Sequence, residues 1–278
     1  MANSLISNTD LSELFGQPQS YRFQMGLQHG SLQEFFGLSP RNGSILAERR
    51  RWLEETPAAC VVATAAANEP LREFAALLSS LPGALKAEHV EGISIEARCG
   101  ALGRALEPDF LFLTNEQGQF RVQGGCVCFP SSWSLSEKVG RALEFVHAPV
   151  PGLNEQLAGS INQFLNRLKP GIVWKRKNWG LSRSSDLNQH PARGLPRLDS
   201  TITVSDVWVR IEDQALLLLP ESAAIVFGIR VRQYPLAEVG AEPVLRLALR
   251  RALETMPEEV AVYKNLSGAR ARLLHLLA

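Results

Sequence analysis

The chain has 278 residues, 45% of them hydrophobic and 21% charged, a length and balance that allow a core of ordinary size and exclude wholesale disorder. Its 29 Lys and Arg stand against 28 Asp and Glu, a formal charge of +1, so no global field would hold it on nucleic acid or on an anionic membrane. The four cysteines (Cys60, Cys99, Cys126, Cys128) lack zinc or thioredoxin-like spacing, no apolar run approaches a membrane span, and "MANSLISNTDLSELFG" has no secretory pattern; the expectation is a cytoplasmic protein without a disulfide framework.

In chain order, "ILAERRRWLEE" (45–55) and "LREFAALLSSL" (71–81) carry apolar residues at the three-and-four spacing of a buried helix face. The dense basic run Glu48 to Trp52 lies on the first of these and is expected to be a solvated helix face rather than a nucleic-acid patch. "DFLFLTNEQGQFRVQGGCVCFP" from Asp109 predicts a hairpin around a turn containing Asn115 and Gly118, with Cys126 and Cys128 as small packing residues on one strand face. A helix is expected next, with Ser134 and Glu137 as a capping box and Leu135, Val139, Leu143 and His147 recurring every four residues until Pro149 and Pro151 stop it.

After the Pro170-Gly171 break comes a polar and aromatic cluster, Arg176, Asn178 and Trp179, and then Leu181 to Leu198, which reads as a long surface loop. "SDVWVRIEDQALLLLP" and "SAAIVFGIRVRQYP" predict a second hairpin. In its first strand Val207, Val209 and Ile211 alternate with Trp208, Arg210 and Glu212, so Arg210, Glu212 and Gln214 share a face. Helices are expected from about Pro243 to Leu253 and from Ser267 to Leu277. Strands that do not alternate one-for-one with helices imply an α+β fold with an antiparallel sheet.

His147 admits two readings. A lone histidine on an apolar stripe is most often a core-edge residue bonded to a carbonyl. A neutral imidazole emerging from an apolar wall is also what haem iron requires as its axial ligand. The pair Arg210 and Glu212 is likewise open: an exposed salt bridge is the commoner arrangement, worth ~0.2–1 kcal/mol, whereas in a dry site a carboxylate can hold a protonated amine and a guanidinium can polarise dioxygen or anchor a propionate. Trp179 and Trp133 read as core aromatics.

Six stretches in order, "FQMGL" (23–27), "GGCVCFPSSWSLSEKVG" (124–140), "VHAPVPG" (146–152), "KRKNWGL" (175–181), "VRIEDQALLLLPESAAIVFGIR" (209–230) and "YKNL" (263–266), resemble the haem-dependent oxidative N-demethylase-like family, to which the haem subunit of a dimethylamine monooxygenase belongs. The resemblance implies one haem-binding domain over 1–278: a PAS-like, mainly antiparallel sheet flanked by helices, with a helical N-terminal extension to about residue 100 and C-terminal helices from about 243. It implies b-type haem on His147 as metal ligand; the polar residues read above then become candidates beside it, Asn178, Trp179 and Gln214 for lining the cofactor and Arg210, Glu212 and Arg176 for catalysis. Asp213 and Leu219 depart from the family pattern, where basic residues are usual, and the sequence around Gly228 and Arg232 is altered too; the charge of the site is what these departures bring into question.

The expected activity is oxidation of a small methylated amine by O2 with release of formaldehyde. No dinucleotide fingerprint or iron-sulfur cysteine spacing is present, so electrons would have to arrive from a separate reductase; the resemblance implies that flavin, iron-sulfur and folate-binding partner subunits deliver them from NADPH. A haem-PAS gas or redox sensor is the alternative, against which stands the lack of heptads or a transmitter pattern; a member that has lost haem and serves as a binding module is the third.

Overall fold

The computed structural model describes residues 8–23, 25–37, 43–81 and 94–278. Helices α1 (Asn8–Phe15), α2 (Leu32–Phe36), α3 (Gly43–Glu55), α4 (Pro57–Cys60), α5 (Asn68–Ser79) and α6 (Ile95–Ala105) come first, with short strands β1 (Gln28–Gly30) and β2 (Val61–Ala63) among them. Parts of the expected helical N-terminal extension, and Gln24 of "FQMGL", lie outside the described residues. The hairpin β3 (Asp109–Glu116) and β4 (Gln119–Cys126) follows, then α7 (Leu143–His147), α8 (Leu153–Asn166) and β5 (Val173–Ser182). A second hairpin, β6 (Trp208–Leu218) and β7 (Ile225–Pro235), leads into α9 (Leu236–Ala241), α10 (Pro243–Thr255), α11 (Glu258–Tyr263) and α12 (Arg270–Leu276).

The strands form one sheet in the order β1-β5-β6-β7-β3-β4-β2, antiparallel at every pairing. The fold is therefore α+β, as the spacing of the hairpins implied. Among the described residues no helix is long and apolar enough to cross a membrane.

Period-two alternation gives the sheet two apolar faces. On one, Phe110, Phe112, Ala215, Leu217 and Val226 pack under Phe35, Phe36, Leu53 and Phe74 of the N-terminal helices, and Leu181, Val209 and Ile211 continue that face under Leu245, Leu249 and Leu273. On the other, Leu111, Leu113, Leu216 and Ile225 are covered by Leu143, Val146, Ile161, Phe164 and Leu165 of α7 and α8. Gly228 sits where the first face meets α2: a Cβ there would stand 2.6 Å from both Phe35 Cε1 and Phe36 Cζ. Gly228→Ala is expected to lower stability by about 1–3 kcal/mol through overpacking; an unchanged thermal midpoint would contradict this contact.

Three expectations need correction, and one stretch left without an assigned element takes a definite form. The continuous helix from Ser134 to His147 does not form. Residues 135–140 make turns, Gly140 takes φ 78°, and the chain is tied to β4 by Gly140 N–H to Val122 O (2.7 Å) and Val122 N–H to Arg141 O (3.1 Å). Ser134 Oγ accordingly faces Ser136 Oγ (2.9 Å) instead of capping a helix, and only Leu143–His147 is helical. The polar cluster after Gly171 is a strand, β5, which pairs along its length with β6. Leu181 and Ser182 end that strand, and the remainder of the expected surface loop is partly interior, with Asn188, Gln189 and Leu198 buried. The basic run on α3 is not wholly solvated: Arg49 is fully buried and ion-paired with Asp109 at 2.5 Å.

Candidate functional site

Between the apolar cover of α7 and α8 and the loop that follows β5, one strip of the second sheet face is polar. The register places Arg176 opposite Gln214, Asn178 opposite Glu212, and Gly180 opposite Arg210; all but Arg210 and Gly180 are half-buried polar side chains. Glu212 is their centre. Its Oε2 accepts from Asn178 Nδ2 (3.2 Å) and Gln214 Nε2 (2.9 Å), and its Oε1 accepts from Ser131 Oγ (2.5 Å).

Arg210 does not pair with Glu212 directly. Its Nε donates to Ser131 Oγ (2.7 Å), which leaves the Ser131 hydroxyl proton for Glu212. Nη2 donates to Phe129 O and Leu187 O, each at 2.8 Å. Arg210 is 3% exposed, and burial pulls its pKa down to about 10. The exposed salt bridge considered from the sequence is thus replaced by a buried clamp relayed through a serine.

The segment carrying Ser131 is itself anchored. Asp109 accepts from the backbone N–H groups of Cys128 (2.8 Å) and Phe129 (3.0 Å) while Arg49 Nη1 donates to its Oδ1 and Arg49 Nε to Gly103 O (2.9 Å). Cys126 and Cys128 lie in the same buried pocket as free thiols, 3.9 Å apart. Ser131→Ala would leave Arg210 Nε and Glu212 Oε1 each without a partner, an expected loss of ~1–3 kcal/mol in urea unfolding; equal midpoints would show the relay is idle.

His147 closes α7 on the side of this strip. Burial, and then the positive charge of Arg176, hold its imidazole below the ordinary histidine pKa, so it is neutral at pH 7. In the cofactor-free chain the His147 ring is expected to titrate below pH 6.5 by NMR; a midpoint above that value would place the ring in water or beside an acid.

The Arg176 side chain has no hydrogen bond or ion pair with any described residue, and its Nε is buried without a partner. Burial presses its pKa down, with Glu212 opposing. Lys264 follows α11 and reaches back to the edge of β5, donating from Nζ to Trp179 O (2.8 Å); burial lowers its pKa to about 8, with Glu212 opposing and Arg176 reinforcing the shift.

The structure therefore brings together Arg176, Asn178, Arg210, Glu212 and Gln214, with His147 within reach of the charge of Arg176 but lining a cavity that includes none of them. Trp179 is apart from them: it follows Asn178 in the strand and so faces the opposite way, edge-on to Phe15 at 5.3 Å. Asp213 is likewise on that far face, with Lys177 at 2.5 Å and Arg232 at 3.6 Å, and Leu219 is buried in the core. These departures from the family pattern thus lie away from the polar strip. The sequence reading missed Ser131, Lys264, and the Arg49–Asp109 anchor; Ser131 and Lys264 lay inside quoted stretches, "FPSS" and "YKNL", without an assigned role.

Among the described residues no three His, Cys, Asp or Glu side chains are grouped to hold a metal ion. A haem iron takes four donors from its porphyrin and needs only one imidazole. The small cavity against His147, lined also by Phe120, Leu143, Asn154 and Ile161, measures about 10 Å³ and holds one water at most. A larger hollow of about 720 Å³ lies along the part of β7 beyond its pairing with β3, lined by Glu34, Glu107, Arg230 and Gln233, and includes none of the strip residues. A model of the family described as haem-dependent oxidative N-demethylase, alpha subunit-like, matches residues 86–274.

Proposed function

Because the chain belongs to the haem-dependent oxidative N-demethylase alpha-subunit-like family, we propose that it is the haem-carrying oxygenase subunit of an oxidative N-demethylase, a single PAS-like domain acting in the cytoplasm on a small methylated amine such as dimethylamine. The observation that carries this reading is a neutral, half-buried His147 that feels the charge of a half-buried Arg176, whose buried Nε has no partner. Both ends of a haem are answered there. The imidazole is the iron donor, and the guanidinium suits a propionate or an oxygen ligand.

The donor types suit the group, whereas the space beside His147 does not hold it. The cavity of about 10 Å³ at His147 is too small for a tetrapyrrole, so the half-exposed strip of Arg176, Asn178, Glu212 and Gln214 is the surface against which it would lie. Leu157, Ile161 and Phe164 of α8, all half-buried, supply apolar neighbours. When bound, haem supplies reductive activation of dioxygen.

The chain's own residues supply the rest. Ser131, Asn178 and Gln214 fix the Glu212 carboxylate by three donors, presenting it to the amine nitrogen. The Arg210 clamp holds the Phe129 and Leu187 backbone over the strip and keeps water from the carboxylate's Ser131 side. Overall, NADPH would supply two electrons through separate reductase subunits, one oxygen atom would enter a methyl C–H bond and the other would leave as water. The hydroxymethylamine then breaks its C–N bond to give formaldehyde and the demethylated amine.

Haem-reconstituted protein with a reductase, NADPH and dimethylamine is expected to form one formaldehyde per dioxygen consumed. Oxygen binding without amine-dependent consumption would instead identify a sensor.

A further inference from the structure

The charges around Glu212 do not balance. Arg176, Arg210 and Lys264 place three guanidinium or ammonium groups within electrostatic reach of this one carboxylate. The acids nearby are engaged elsewhere: Asp109 with Arg49, Asp186 with Arg193, and Asp213 with Lys177 on the far face. Arg210 is satisfied by carbonyls and Ser131. Lys264 gives one N–H to Trp179 O and stands 5.3 Å from the Trp179 ring centroid. The Arg176 side chain is left with no hydrogen-bonding or ionic partner among the described residues.

A guanidinium half-buried in this way, with its Nε shut off from both water and partner, is unfavourable unless an anion meets it. A ligand that is only a protonated amine would add a further positive charge, whereas a ligand with an anionic end would correct the excess. We propose that Arg176, supported by Lys264, forms a carboxylate-binding subsite beside Glu212. The carboxylate has two possible sources: the substrate, which would then be an N-methylated amino acid holding its amine at Glu212 and its carboxylate at Arg176, or a haem propionate. The substrate source rests on the oxidative demethylation reading; the subsite itself does not.

Two arms distinguish the sources. In the first, the haem-free chain is titrated with N-methylglycine and with its methyl ester, following the Arg176 Nε–H resonance. In the second, the affinities of haem b and of its dimethyl ester are compared. The subsite predicts that in at least one arm the free acid binds on the order of tenfold more tightly than the ester, as charge-assisted pairing with Arg requires. Arg176→Met should abolish that preference and Arg176→Lys should keep part of it.

The arm that shows the preference names the source. Equal binding of acid and ester, or no binding of either, in both arms overturns the subsite. So does a preference that survives in Arg176→Met. Because the decisive comparison is made on the unaltered chain, a variant that fails to fold does not spoil it. Failure of haem to bind at all would sink the haem reading while the first arm still decides the subsite.

Discussion

Arg49→Met is expected to destabilise the protein by about 3–5 kcal/mol, because it strands the Asp109 carboxylate in the core without its cation. The two side chains are 0% and 1% exposed, so water cannot take the place of the lost partner. The double variant Arg49→Met with Asp109→Leu should recover part of the loss by removing the buried charge altogether. Recovery should be incomplete, since Asp109 also accepts from Cys128 N–H and Phe129 N–H. Urea unfolding of the single and double variants measures both effects; a double variant less stable than the sum of the singles would contradict the account of a stranded charge.

The second large effect concerns Arg210. Arg210→Met leaves Phe129 O and Leu187 O without this donor and frees Ser131 from its orientation, at ~1–3 kcal/mol for each acceptor left unmet in the interior. The pH behaviour follows from its folded pKa of about 10, which burial holds below the ordinary arginine value. Its charge is disfavoured in the fold, so its contribution to stability rises only as pH climbs from about 10 towards the ordinary arginine pKa, and it is constant below that window. The difference between wild type and Arg210→Met should therefore be flat from pH 6 to 8. A marked slope there would mean that another group, Glu212 or His147, reorganises when the clamp is cut.

Much of the sheet was legible in the sequence because its hairpins obey period two over apolar positions. Asn115 and Gly118 marked the first turn correctly: Asn115 Oδ1 accepts Gly118 N–H at 2.8 Å. The strand β5 was hidden because "WKRKNW" is polar on both faces. Lys175 and Lys177 meet Glu34, Glu13 and Asp213 on one side, while Arg176 and Asn178 line the strip on the other. Once the strand is recognised, Trp179 must point away from Asn178.

The buried role of Arg49 was illegible for a different reason. Its partner lies sixty residues away, and three consecutive arginines carry no local sign of which one turns inward; the neighbouring Arg50 and Arg51 are exposed. The row Leu135, Val139, Leu143 and His147 imitated a helix because Leu135, Val139 and Leu143 do all pack on one apolar cluster. They do so from a turn bent at Gly140 rather than from one helix face. His147 was reached correctly as the end of a helix, although the helix is shorter than its spacing suggested.

The central claim is that the His147 imidazole is the protein's iron donor, and an absorption spectrum of the haem-reconstituted chain beside that of His147→Ala tests it most directly. The account predicts a Soret band that is shifted or lost in the variant and returns towards wild type when free imidazole is added. Identical spectra for the two proteins, with haem bound equally by both, would contradict it.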